Sequence, residues 1–218
     1  MSLADELAAR LPAGTALEFG ELRLSRLDDG RFEARHRDDA DTAGGLEGID
    51  SVRDLRDLAK SDADGGYRPL KTAPGLKRGW RTETGCPREF LARLDAIYPG
   101  LFAAWAAYAK GELPPVPLRR TLGRQTGMYR LANTIDDAMA ERLRRELCDA
   151  GCLRQIAWPI DEGDPAETIT AETGHLPLLC TEACTFAVSR ARELAKVARS
   201  VSHGSRVTSA EKSTPHDP

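Results

Sequence analysis

The chain has 218 residues, 41% of them hydrophobic and 30% charged, with a formal net charge of −3. That composition points to a soluble globular protein with enough apolar residues for one large or two small cores. It supplies no excess of basic charge for nucleic acid, and no apolar run approaches the length of a membrane span, so neither is expected as a partner. The stretch Met1-Ser2-Leu3-Ala4-Asp5-Glu6 carries acids where a signal peptide carries bases, and the expected location is the cytoplasm, where thiols stay reduced.

In chain order, residues 2–11 read as a short amphipathic helix, with Ser2 as N-cap and Leu3, Leu7 and Leu11 on one face. Leu17 to Leu27 roughly alternates as a strand, and the break of phase at Gly20-Glu21 suggests a bulge. Asp28-Asp29-Gly30 is a hairpin turn signal, with Arg31 to His36 returning as the partner strand. Ile49 to Lys60 reads as a helix capped by Asp50 or Ser51. Residues 61–85 read mostly as loop. They carry Arg68, Lys71, Lys77 and Arg78 beside Tyr67 and Trp80, which suits either a solvated basic loop or a receiver of anions. Pro87 to Lys110 has a helical apolar stripe, split in two by Pro99-Gly100.

Three prolines within Pro114-Pro115-Val116-Pro117 mark a linker. The boundary placed there gives an N-terminal helix-and-hairpin domain over 1–112, a helix-rich domain over 113–199 and a Ser/Thr/Lys/Pro-rich tail over 200–218, expected to be disordered. The second domain is expected to hold a helix from Ile135 to Ala150 capped by Thr134, a strand from Cys152 to Pro159, and a helix opened by Cys180. The fold class is α+β, in two small domains.

Four of the five cysteines form two C-x-x-x-C pairs, Cys148/Cys152 and Cys180/Cys184. Four thiols so arranged read as a four-thiolate metal site, either an iron–sulfur cluster or zinc. Tetrahedral zinc needs its sulfurs roughly 3.8 Å apart, whereas residues at i and i+4 of a helix have Cβ atoms about 5–6 Å apart, a spacing closer to two corners of a cubane. Buried, metal-free thiols are the remaining alternative. Arg144, Arg145 and Arg154 stand ready to offset the negative charge beside the first pair. Cys86, between Gly85 and Pro87, reads as a single packed or exposed thiol, and His175 as a loop histidine or a substitute ligand. No G-x-G-x-x-G after a strand, P-loop or local nucleophile–base pair is present, so a redox or hydrolytic enzyme has little support.

Arg124-Gln125-Thr126-Gly127-Met128-Tyr129, the Cys148/Cys152 pair, and Cys180-Thr181-Glu182-Ala183-Cys184 running into a stretch with Arg190 and Arg192 together form a recognisable set. Residues 113–199 resemble the 4Fe-4S cluster-binding domain attached to CbiX-type sirohydrochlorin cobaltochelatases. The preceding region, with Gly66-Tyr67-Arg68-Pro69-Leu70 and Gly79-Trp80, resembles the companion domain that stands between chelatase and cluster domain. The chelatase domain itself is not matched, and His36, His175, His203 and His216 are scattered where that chemistry gathers histidines. The resemblance implies a 4Fe-4S cluster on Cys148, Cys152, Cys180 and Cys184, in preference to zinc. It also implies a non-catalytic accessory or electron-transfer role beside a chelatase, in tetrapyrrole or cobalamin synthesis. Arg119, Arg120 and Arg124 would balance the cluster's charge or face an acidic partner or an anionic tetrapyrrole.

Overall fold

The structure, a computed structural model, describes residues 1–42, 44–125 and 134–210, without the side chains of 201–210. The chain folds as two units. The first comprises Met1–Pro114, Gly151–Ala157 and Thr168–Thr181; the second comprises Pro115–Ala150, Trp158–Glu167 and Glu182–Pro218. The packing units cross the boundary placed after residue 112: residues 168–181, which pair with β1 through His175–Leu176, and residues 151–157 fold with the first unit. Among the described residues no helix is long and apolar enough to cross a membrane.

The first unit is an α+β structure built on a six-stranded sheet in the order β4-β5-β3-β2-β1-β7. Its strands are β1 (Ala16–Phe19), β2 (Leu22–Arg26), β3 (Phe32–His36), β4 (Glu47–Gly48), β5 (Trp80–Thr84) and β7 (His175–Leu176). The meander β1-β2-β3 with β5 is antiparallel, while β4 and β7 add in parallel at the two edges. Alternation places Phe19, Leu22, Leu24, Phe32, Ala34 and Trp80 in the core. Helices α1 (Leu3–Ala9), α2 (Val52–Leu58), α3 (Pro87–Ile97) and α4 (Leu101–Ala109) supply the rest of that core, with Leu7, Leu55, Phe90, Leu94, Ile97 and Phe102. The helix starts follow their caps. Ser2 and Asp5 form a capping box on α1, Ser51 caps α2, and Gly100 at φ 69° separates α3 from α4. A second, two-stranded ribbon pairs β6 (Gln155–Ile156) with β8 (Leu179–Cys180) in parallel.

The second unit is helical. Its α5 (Leu118–Arg124) has no side-chain cap; Leu118 and Arg119 instead donate their N–H groups to the carbonyls of Pro159 and Ile160, at 2.9 and 3.2 Å. The next helix, α6 (Asp137–Leu143), is capped by Asp136, whose carboxylate accepts the Met139 N–H at 2.8 Å. It runs directly into a π-helical stretch, Arg144–Asp149. The long α7 (Thr185–Ala210) packs on α6, with Ala187, Ala191 and Ala195 buried four residues apart.

Several sequence expectations are corrected. The break at Gly20-Glu21 is a two-residue hairpin turn rather than a bulge: Phe19 faces Leu22, and Gly20 takes φ 63°, a value only glycine adopts cheaply. Within 61–85, Trp80–Thr84 is a strand, its alternate residues Trp80, Thr82 and Thr84 buried. Asp136, not Thr134, caps the helix before the first cysteine pair. The strand expected over 152–159 shrinks to Gln155–Ile156, and α7 begins after Cys184 instead of at Cys180. The expected disordered tail is helical as far as Ala210, and 211–218 lie outside the described residues.

One buried carboxylate organises the loop between α2 and β5. Glu21, in the β1–β2 turn, accepts the N–H of Gly75 at 2.7 Å and of Leu76 at 2.9 Å. Arg68, itself buried, stands 3.6 Å from the same carboxylate. His36 Nδ1 accepts the Asp38 N–H, which leaves its ring proton on Nε2, facing Glu21 at 3.9 Å. The Glu21 N–H donates to the Tyr98 hydroxyl at 3.1 Å. Burial pushes the Glu21 carboxyl up, but His36, the two backbone donors and the Arg68 charge together outweigh it and bring the carboxyl from 4.5 down to about 2. Because the folded value is depressed, the stabilisation is complete above the unfolded value near 4.5 and disappears as pH falls toward 2. It amounts to roughly 3 kcal/mol. Arg68 also donates to the carbonyls of Lys71 and Ala73. Of the two readings of this basic loop, the internal partners of Arg68 favour the one without a ligand, and Arg78 pairs with Asp38 at 2.5 Å.

Glu21→Gln should cost about 3–5 kcal/mol at neutral pH, since it strands Arg68, and should flatten the acid limb of stability between pH 5 and about 2; urea denaturation across that range measures both. Gly20→Ala should cost about 1–3 kcal/mol. An added Cβ would stand 2.7 Å from a Leu178 methyl and 2.9 Å from the Tyr98 oxygen, on a backbone already at positive φ. Thermal unfolding checks it.

Candidate metal centre

All five cysteines are thiols, none in a disulfide. Cys148 lies in the π-helical stretch of the second unit and is 8% exposed. Such stretches are rare, because the wide i→i+5 turn is strained, and they often occur where a side chain must be re-aimed. The arginines around it are engaged within this unit. Arg144 donates to the Trp158 carbonyl at 2.8 Å and lies over the Trp158 ring at 4.9 Å. Arg190 bridges Glu146 and Glu193, each at 2.8 Å.

Cys184, also in the second unit, occupies the N-cap position of α7, its carbonyl accepting the Val188 N–H at 3.0 Å. The free N–H groups and the positive end of the dipole of a long helix start there. Just before it, Glu182 accepts from Thr121 and Arg124, both at 3.2 Å. Arg119 is held by Asp161 at 2.6 Å and Asp137 at 2.9 Å, and Arg120 faces Glu162 at 3.8 Å. The three arginines expected to balance a cluster or meet a partner therefore have carboxylates of their own.

Cys152 and Cys180 belong to the first unit. Cys180 ends β8, is 7% exposed, and its carbonyl accepts the Ala157 N–H at 3.0 Å. Cys152 precedes β6. Its Sγ is 3.1 Å from the Thr72 hydroxyl, and the next N–H, of Leu153, donates to the Thr72 carbonyl at 2.8 Å. Arg154 buries its Nε without a hydrogen-bond partner.

The two pairs thus share a spacing but not a backbone. Neither pair lies on one helix, so the i, i+4 helical separation used to favour a cubane over zinc does not apply. Among the described residues no three or more His, Cys, Asp or Glu groups are gathered for a metal ion. What fits is the donor chemistry: four reduced thiols are the set that iron–sulfur clusters and structural zinc select. Cys86 is exposed and starts α3 without capping it through its side chain. His175 lies in β7 with Nδ1 4.0 Å from Glu18. Of the Arg-Gln-Thr-Gly-Met-Tyr stretch, Thr126 to Tyr129 lie outside the described residues. Thr72 was missed by sequence reasoning, since it sits 80 residues from Cys152 and carries no local motif.

A family model of a 4Fe-4S iron–sulfur cluster binding domain matches residues 110–193, and one of a DR2241 stabilising domain matches residues 5–109. The two matches lie end to end along the chain. All four cysteines of the C-x-x-x-C pairs fall in the cluster-binding domain, and Cys86 falls in the stabilising domain. Among solved structures, the chain is similar to DR2241 from Deinococcus radiodurans, described as a multi-domain protein with structural similarity to chelatases and two additional novel domains. The likeness has a TM-score of 0.72 and 27% identity. It covers 89% of this chain and 40% of that one, so this chain spans about two-fifths of its solved relative. No curated protein matches the chain. Within the cluster-binding domain, residues 151–157 and 168–181 fold with the first unit, so the domain's sequence limits and its packing limits differ.

In the metal-free chain, exposure sets the order of thiol alkylation. Cys86 should react first, half-buried Cys152 and Cys184 next, and buried Cys148 and Cys180 last. Timed iodoacetamide labelling with peptide mapping reads this order.

Proposed function

We propose that the chain is a 4Fe-4S protein whose cluster is held by Cys148, Cys152, Cys180 and Cys184. The observation that carries this reading is that both C-x-x-x-C pairs fall inside the match to the 4Fe-4S cluster binding domain. When bound, such a cluster supplies one-electron redox chemistry or a structural cross-link. The chain's own contribution is to provide four thiolates from two short segments, to hold Cys180 by its backbone in the β6–β8 ribbon, and to set Cys184 at the positive end of α7. We read its role as that of an accessory or electron-transfer protein.

The finer reading is a redox or accessory partner of a sirohydrochlorin cobaltochelatase in tetrapyrrole or cobalamin biosynthesis, working in the cytoplasm, with an anionic tetrapyrrole met through that partner. Two things support it: the sequence resemblance, and the chelatase-like character described for DR2241.

Anaerobically purified protein should be brown and contain about four irons and four sulfides per chain. Alanine at Cys148, Cys152, Cys180 or Cys184 should abolish the visible absorbance, and Cys86→Ala should retain it. A colourless protein with one zinc per chain would replace this reading by a zinc-stabilised binding module. The accessory role is checked by adding the reduced chain to a sirohydrochlorin cobaltochelatase and following metal insertion. A faster rate is expected, and an unchanged rate removes that role.

A further inference from the structure

The stabilising domain places one side chain directly against a cysteine of the cluster-binding domain, both within the first folding unit. Thr72 is fully buried, and its hydroxyl lies 3.1 Å from Cys152 Sγ. A buried hydroxyl must find a partner, and among the described residues this sulfur is the one it meets. The backbone doubles the tie, with the Leu153 N–H donating to the Thr72 carbonyl at 2.8 Å. Thr72 is itself fixed from both sides in sequence, because Arg68 donates to the carbonyls of Lys71 and Ala73. The side chain hydrogen-bonded to Cys152 is thereby one with little freedom to move.

We propose that Thr72 is a positioning residue for Cys152, donating its hydroxyl hydrogen to the ligand sulfur and holding the 151–156 segment in register. This rests on the iron–sulfur reading above. The physical effect is electrostatic. Reduction adds negative charge that spreads onto the cysteine sulfurs, and a hydroxyl dipole aimed at one of them stabilises the reduced form. The domain named for stabilisation therefore also sets how readily the cluster accepts an electron. Thr72 is fully buried, and its hydroxyl alone carries the effect.

The test compares full-length wild type, Thr72→Ser and Thr72→Val. Valine keeps the shape and removes the hydroxyl; serine keeps the hydroxyl. With the cluster bound, valine should shift the midpoint potential to more negative values at unchanged iron content, and serine should stay near wild type. In the metal-free chain, hydrogen exchange of the peptide spanning 151–156 should be several-fold faster in the valine variant. The β1–β2 hairpin serves as an internal reference for the fold. A valine variant with wild-type potential and wild-type exchange overturns the proposal, as does a serine variant that behaves like valine. If the wild-type chain carries no iron or sulfide, the iron–sulfur reading falls, and the exchange of 151–156 still decides whether Thr72 orders the Cys152 segment.

Discussion

A carboxylate buried in a β-turn sets the form of the first unit. Glu21 costs several kcal/mol to desolvate, and that cost is recovered only because two backbone N–H groups, the Arg68 guanidinium and the His36 ring converge on it. The loop between α2 and β5 has no regular ladder of its own before Trp80. It is held at Gly75 and Leu76 by this carboxylate, and at Lys71 and Ala73 by Arg68. Between those anchors lies Thr72, which holds Leu153 by its carbonyl and Cys152 by its hydroxyl. The order of dependence runs from a charge in a hairpin turn, through a loop, to a thiol.

In the sequence this loop suited either a solvated basic loop or a receiver of anions, and composition alone could not separate the two. Arg68, Lys71, Lys77 and Arg78 beside aromatics give the composition of an anion receiver. Composition does not record that Arg68 is 3% exposed with its charge answered by Glu21, a partner far away in the chain. The same holds for Arg119, Arg120 and Arg124, whose carboxylates come from other segments. Charge pattern along a chain reports which groups exist; tertiary pairing decides which remain available.

Local signals were read well where they are local. Ser2, Ser51, Asp28-Asp29-Gly30 and Pro99-Gly100 mark helix starts, a hairpin and a helix break by chemistry contained in a few residues, and each stands where that chemistry puts it. The two-residue strands β4, β6, β7 and β8 are too short to show alternation, and they exist only through pairing with distant segments. The helix expected from Cys180 starts five residues later. Cys180 is held in the ribbon with β6, and Glu182 is tied to Thr121 and Arg124. Of the candidate site, the paired spacing of the four cysteines was legible and their backbone setting was not.

That difference changes the reason for preferring iron–sulfur over zinc. Helical spacing would have been a geometric argument, and it falls once Cys148 is seen on a π-helical stretch and Cys180 on a strand. What remains is the match of the sequence to the cluster-binding domain. Zinc would hold its charge fixed whatever donors surround it, so a buried hydroxyl aimed at a ligand sulfur would only add to the stability of the site. A cluster changes charge on reduction, and the same hydroxyl then acts differentially on its two states. The Thr72–Cys152 contact is the feature through which the fold of the first unit would set a redox property, and it reaches back to the carboxylate in the turn.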